Sequence, residues 1–234
     1  MGVDRCTWQF DPKCVMARRS APQFHAPPQA DAVVYIVDDD ATVRETLSSL
    51  IRSTGFGVAL FASGREFLQS ALKDVPSCLI LDVRLPGFGG LDLQAELERS
   101  NNPIPIIFIT GFGDIPMSVQ AMKGGAVDFL TKPFRDQDLL DAISSALDLD
   151  QRRRQQEAHL ADVRLRFDSL TERERQVMIL ATDGLMNKQI AAEMDLSEVT
   201  VKFHRGNLVK KMGARSLPDL VRMAEALGLR RTKQ

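Results

Sequence analysis

Three carboxylates, a hydroxyl and an ammonium stand at the ends of short apolar runs. Asp38 and Asp39 follow Val33-Val34-Tyr35-Ile36-Val37, and Asp82 closes Cys78-Leu79-Ile80-Leu81. Thr110 closes the run from Ile104, and Lys132 stands just past Phe129-Leu130, before Pro133. Carboxylates crowded together repel unless a divalent cation or an ammonium sits among them. Oxygen ligands with few protein carboxylates suit Mg²⁺, which keeps waters and recruits phosphate oxygens. One carboxylate is then available as a nucleophile toward phosphorus, forming an acyl phosphate. A cation and an ammonium would neutralise the phosphoryl oxygens, and a hydroxyl would hydrogen-bond one of them. A lone aspartate is more often a solvated turn residue, so the case for Asp82 rests on its company.

That company exists only if the chain folds the strand ends together. Val33–Val37, Gly57–Phe61, Cys78–Asp82, Ile104–Thr110 and Ala126–Leu130 read as strands. Between them lie helical spacings at 42–54, 64–72, 91–99 and 114–123, with a further helix from Asp136. Ser63 and Glu66 form a capping box, and Pro105 is tolerable only near a strand start or an edge. Alternating strands and helices imply an α/β fold, a doubly wound five-stranded parallel sheet covered on both faces. Such sheets place their chemistry at the carboxyl ends of strands, beside the point where strand order reverses.

The second half of the chain has a different period. Residues 151–166 carry Arg152-Arg153-Arg154 without Gly or Pro and read as a charged helical linker. From 167 to 230 the pattern is all helical. Thr171 and Glu174 form a second capping box, and Asn187 is expected to cap a short helix. Ser197 caps a longer helix that Gly213 stops, and Ser216 with Pro218 opens a fourth. A short helix, a tight turn at Asp195-Leu196 and a longer helix make a helix-turn-helix, here within a small all-α four-helix domain. Residues 1–31, with Pro22, Pro27 and Pro28, read as a disordered tail in which Trp8 is the one docking-like feature.

Charge divides the same way. Residues 32–150 hold 17 acidic and 9 basic residues, whereas 151–234 hold 17 basic and 11 acidic. An acidic first domain and a basic second suggest a cation for one and nucleic acid for the other. No apolar run reaches the ~18 residues that span a bilayer, and no secretory leader is expected. Cys6, Cys14 and Cys78 are odd in number and lack metal-site spacing, which fits reduced thiols in a cytoplasmic protein.

Motif by motif, residues 32–150 resemble the receiver domain of two-component response regulators. The match rests on Val37-Asp38-Asp39-Asp40, Leu81-Asp82-Val83-Arg84-Leu85-Pro86-Gly87, Ile109-Thr110-Gly111 and Asp128-Phe129-Leu130-Thr131-Lys132-Pro133-Phe134. The resemblance implies a flavodoxin-like fold and makes Asp82 the phosphoacceptor from a sensor histidine kinase. It implies Mg²⁺ bound by Asp39, Asp82 and the main-chain carbonyl of Arg84, with Asp38 in support. Thr110 and Lys132 would hold the phosphoryl group, Phe129 would be a switch aromatic, and Lys132–Pro133 would be cis. Asp40 is expected to be merely solvated.

The stretch from Leu170 to Leu229 resembles the LuxR-type DNA-binding domain, through Asn187-Lys188-Gln189-Ile190-Ala191 and Ser197-Glu198-Val199-Thr200-Val201-Lys202-Phe203-His204. The whole chain is thus similar to FixJ/NarL-type regulators. The helical period from Ser197 puts Val201, Leu208 and Met212 toward a core. It puts Val199, Lys202, Phe203, Gly206 and Lys210 outward, as a recognition helix in the major groove requires. Lys202 is the candidate for a guanine edge. Lys188, Thr200, His204, Arg205 and Lys210 are candidates for phosphates, and Phe203 for a thymine methyl or a sugar.

The implied function is a phosphorylation-controlled transcriptional regulator that binds promoter DNA and forms a homodimer when phosphorylated. It has no membrane partner and catalyses only its own phosphorylation and dephosphorylation. Two other readings compete. An aspartate-nucleophile phosphatase fused to a DNA-binding module would use the Asp38-x-Asp40 spacing but leaves Asp82 unexplained. A small-molecule receptor of the autoinducer type would need an aromatic-lined pocket, which one Tyr and one Trp serve poorly.

Overall fold

The computed structural model describes residues 32–111 and 115–229. The expected tail with Trp8, and Asp114 as a helix start, lie outside the described residues. The sheet comprises β1 (Val33–Val37), β2 (Gly57–Phe61), β3 (Ser77–Asp82), β4 (Ile106–Thr110) and β5 (Asp128–Thr131). Its order is β2-β1-β3-β4-β5 and every pairing is parallel. Strand order therefore reverses between β1 and β3, the strands that end in Asp38-Asp39 and Asp82. Strands β1, β3 and β4 are buried along their whole length, which explains their unbroken apolar runs.

The two faces are covered by different helices. Val34, Ile36, Ile80 and Ile107 pack with Leu47 and Ile51 of α1 (Ala41–Ser53) and Leu139 and Ile143 of α5 (Asp136–Asp168). On the other face Tyr35, Leu79, Leu81 and Phe108 pack with Phe67 of α2 (Gly64–Gln69), Leu93 of α3 (Gly90–Arg99) and Ala121 of α4 (Ile115–Lys123). Fully burying one such side chain contributes about 1.5–3 kcal/mol, so the sheet's mouth is set by a rigid interior. Helix α2 stops at Gln69, three residues short of the expected end. The N–H of Ser70 donates to the Phe67 carbonyl at 3.0 Å and its hydroxyl to the same oxygen at 2.7 Å, a local bond that competes with helix continuation. Strand β4 begins after Pro105, whose carbonyl accepts the Leu79 N–H at 2.9 Å.

Helix α5 runs 33 residues without a break. The last helix of the sheet domain and the expected charged linker are one element, since no Gly or Pro interrupts them. Leu139, Ile143 and Leu147 belong to the sheet's core, while Val163, with Phe167 packed beside it, belongs to a second core. Where the helix leaves the sheet, Asp150 is buried. It accepts the Ser77 N–H at 3.0 Å and the Arg154 Nε at 2.7 Å, and it pairs with Arg153.

The second core is built by α6 (Glu172–Thr182), α7 (Asn187–Met194), α8 (Glu198–Met212) and α9 (Leu217–Ala226). Val177, Met178, Ile190, Val201, Leu208, Met212 and Leu220 fill it. Asp195 turns the chain between α7 and α8 with φ 52°. Ser197 caps α8 by accepting the Thr200 N–H at 3.1 Å. Asn187 is not the cap of α7. Met186 takes that place, its N–H donating to Gln189 Oε1 at 2.8 Å. The Asn187 amide oxygen instead accepts Arg205 Nη1 at 2.7 Å. No helix among the described residues is long and apolar enough to cross a membrane.

Candidate functional site

At the carboxyl end of the sheet, Asp38, Asp39 and Asp82 each offer an oxygen within 4.8 Å of the others. Strand β1 delivers Asp38 buried and Asp39 exposed; β3 delivers Asp82, 8% exposed. Lys132 reaches in from the end of β5. Its ammonium lies 2.8 Å from Asp38 Oδ2 and 3.1 Å from Asp82 Oδ2. The Lys132 N–H donates to the Thr110 carbonyl at 2.7 Å, which ties the end of β5 to the end of β4, and Lys132–Pro133 is cis.

Asp38 and Asp82 are each engaged at both oxygens, and Asp38 is the more deeply buried of the two. Asp38 Oδ1 accepts the Asp40 N–H at 2.9 Å and its Oδ2 takes Lys132, so both of its oxygens are engaged. Asp82 Oδ1 accepts the Arg84 N–H at 3.1 Å. Burial raises the Asp38 carboxyl above its ordinary value, against the Lys132 ammonium and the Asp40 N–H. Burial also works against the charge of Lys132, but bonds to Asp38 and the field of Asp82 outweigh it and raise its pKa. One ammonium among three carboxylates leaves an excess of negative charge on hard oxygen donors. That set fits Mg²⁺ better than it fits a soft metal.

Thr110 is fully buried at the end of β4, the strand beside Asp82, with Ile109 in register opposite Asp82. Phe129 is half-buried on β5, its ring centroid 6.3 Å from that of Phe108. Arg84 is exposed in the loop after β3. A Cβ at Gly90, the first residue of α3, would collide with the Asp82 carbonyl and the Val83 Cα. A glycine there lets α3 press against the backbone that carries Asp82, a role the loop's glycines did not reveal in the sequence.

Asp40 does more than sit in solvent. Its carboxylate accepts the Thr42 N–H at 2.7 Å and the Val43 N–H at 3.4 Å, capping α1. The Thr42 N–H foremost lowers its pKa. Asp40 followed by Thr42-Val43 was the available signal for that cap. Arg44, also unforeseen, donates from Nη1 to the Asp38 carbonyl at 2.6 Å.

The helix-turn-helix presents a second candidate site. Val201, Leu208 and Met212 are fully buried, which fixes the roll of α8. Val199, Lys202, Phe203, Gly206 and Lys210 are exposed, as is Lys188 on α7. Thr200, His204 and Arg205 are half-buried. His204 stands edge-on to Phe203, centroids 5.9 Å apart. Arg205, bonded to Asn187, also ties α8 to α7.

Residues 34–144 match the response regulator receiver domain, and residues 168–224 match the bacterial regulatory proteins of the luxR family. The chain is 57% identical to Nodulation protein W of Bradyrhizobium diazoefficiens over 205 residues, covering 88% of this chain and 90% of that protein. It is 49% identical to Response regulator protein TmoT of Ectopseudomonas mendocina, covering 84% and 90% respectively. Among solved structures, response regulator StyR superposes with a TM-score of 0.75 at 49% identity, covering 83% of this chain and 98% of StyR. Full-length FixJ from B. japonicum superposes with a TM-score of 0.52 at 42% identity, covering 86% and 99%.

Proposed function

The chain belongs to the response regulators that join a receiver domain to a LuxR-family DNA-binding domain, and on that premise we propose that Asp82 is its phosphoacceptor. It is a regulator with a DNA-binding domain rather than a typical enzyme. The observation that carries the assignment is the position of Asp82. Asp38 and Asp82 both pair with Lys132, and Asp82 is the one delivered by the central strand β3, next to β4 and its buried Thr110.

In this reading Asp82 is phosphorylated by a sensor histidine kinase in the cytoplasm. A carboxylate oxygen of Asp82 forms the new P–O bond as the donor's P–N bond breaks, and the electron pair leaves on the imidazole. Asp39, Asp82 and the Arg84 carbonyl would hold Mg²⁺, which supplies charge neutralisation at the phosphoryl oxygens when bound. Asp38, with both oxygens engaged, holds Lys132 in place. The Lys132 ammonium offsets the charge of the incoming group, and the Thr110 hydroxyl donates to one of its oxygens. Movement of Thr110 toward that group leaves room for Phe129 to turn inward.

The consequence proposed is pairing of two chains and tighter hold on promoter DNA. Lys202 reads a base edge, Lys188, Thr200, His204, Arg205 and Lys210 take phosphates, and Phe203 lies against a thymine methyl or sugar. Binding two half-sites at once raises effective concentration, so modest pairing strengthens DNA binding. Sedimentation and DNA binding with and without acetyl phosphate test this in wild type, Asp82→Asn and Thr110→Ala. Dimers and tighter binding are expected only in phosphorylated wild type. Equal affinity in both states, across concentrations spanning any dimer transition, contradicts it.

A further inference from the structure

The exposed face of α8 carries more apolar surface than a base-reading lysine needs. Val199 is 77% exposed and Phe203 66%. Four residues apart on a helix, they are neighbours on one face. Single exposed apolar residues are ordinary, but this pair sits on the one helix whose opposite face is locked into the core by Val201, Leu208 and Met212. The helix cannot roll to hide them. Exposed Lys202 lies between the two in sequence, and exposed Lys210 follows two turns later, so the apolar pair is framed by cations.

Gly206 adds an independent observation. A Cβ there would meet nothing within 4 Å, so the protein's own packing does not require glycine. Glycine inside a helix is less favourable than alanine. Its presence on the same outward stripe fits a backbone that comes close to an external surface.

What apolar group could that surface present? In the major groove the base edges offer hydrogen-bonding atoms and one apolar group, the thymine C5-methyl. One helical turn separates Val199 and Phe203 by about 6 Å of rise, close to two base-pair steps at about 3.4 Å each. We propose that Val199 and Phe203 form an apolar reading edge for the C5-methyls of two thymines about two base-pair steps apart in each half-site. Val199 thereby becomes a specificity-determining residue alongside Lys202. This inference rests on the reading of α8 as a major-groove helix.

The test separates the two. The full-length chain, treated with acetyl phosphate and Mg²⁺, selects binding fragments from a random DNA pool. Each thymine of the recovered fragment is then replaced in turn by deoxyuridine, which keeps the base pair and removes only the methyl. Wild type should lose about fourfold in affinity at each of two positions, the worth of one buried methyl. Val199→Ala should be insensitive at one of them and Phe203→Ala at the other. Val199→Thr, which keeps a branched methyl, should retain sensitivity. Both residues are exposed, so unchanged thermal unfolding should accompany each variant. Undiminished wild-type binding to every deoxyuridine fragment overturns the methyl-reading edge while leaving sequence-specific binding intact. Failure of the pool to yield any preferred sequence overturns the reading of α8 itself, and this inference with it.

Discussion

The Lys132 ammonium lies 2.8 Å from Asp38 Oδ2, across 94 residues of sequence, and is the shared counter-charge of the acid cluster. Removing it leaves Asp38 and Asp82 facing each other without an ammonium between them. Lys132→Met should lower stability at neutral pH by about 2 kcal/mol, less than for a fully buried pair because Lys132 keeps some solvent contact. Added Mg²⁺ should recover part of the loss, more in the variant than in wild type. Urea unfolding with and without Mg²⁺ measures both effects. An unchanged midpoint would mean that Lys132 does not balance the cluster.

Gly90 acts on the same site through the backbone. Gly90→Ala forces its Cβ against the Asp82 carbonyl, so either α3 or the end of β3 must shift. The expected cost is about 1–3 kcal/mol, as for overpacking elsewhere. Phosphorylation by acetyl phosphate should slow at the same time. Chemical denaturation and the rate of adduct formation check the two halves of this expectation. A variant as stable and as fast as wild type would remove Gly90 from the site.

In the helical domain, Glu174 Oε2 accepts the Thr171 N–H at 2.8 Å and the Lys211 ammonium at 2.7 Å. Burial opposes its ionisation, but Lys211 and the Thr171 N–H prevail and hold the carboxyl below its usual 4.5. The folded state therefore binds fewer protons than the unfolded state in that range. The stability Glu174 supplies is present above about pH 4.5 and lost as pH falls through the folded value. Glu174→Gln should cost about 1.5 kcal/mol at neutral pH, a typical charged hydrogen bond. Its stability should also fall less steeply between pH 5 and 3. Melting temperatures across that range decide it, and parallel curves for variant and wild type would contradict the assignment.

Which parts of this arrangement the sequence announced follows from how local each cause is. Asp82, Asp39 and Thr110 were legible because each ends an apolar run, and a parallel sheet gathers such ends. The outward stripe of α8 was legible because helical period alone separates Val201 and Leu208 from Val199 and Phe203. Asp150 was not, although Arg153 and Arg154 stand at helical spacing from it. Its burial depends on the Ser77 N–H, 73 residues away. The unity of α5 was hidden because a charged midsection looks like a solvated linker whether or not the helix continues through it. Asn187 was misplaced by one residue because the Gln189 side chain reaches back to the N–H of the cap residue Met186, which has no capping side chain of its own.

The assignment of Asp82 as phosphoacceptor is tested most directly by intact-mass measurement after acetyl phosphate and Mg²⁺. Wild type should gain a single phosphoryl adduct, which should be absent without Mg²⁺ and absent in Asp82→Asn. Asp39→Ala should lose it as well, whereas Asp40→Ala should keep it, since Asp40 caps α1. An adduct of undiminished yield on Asp82→Asn would place the chemistry on another residue and contradict the central claim.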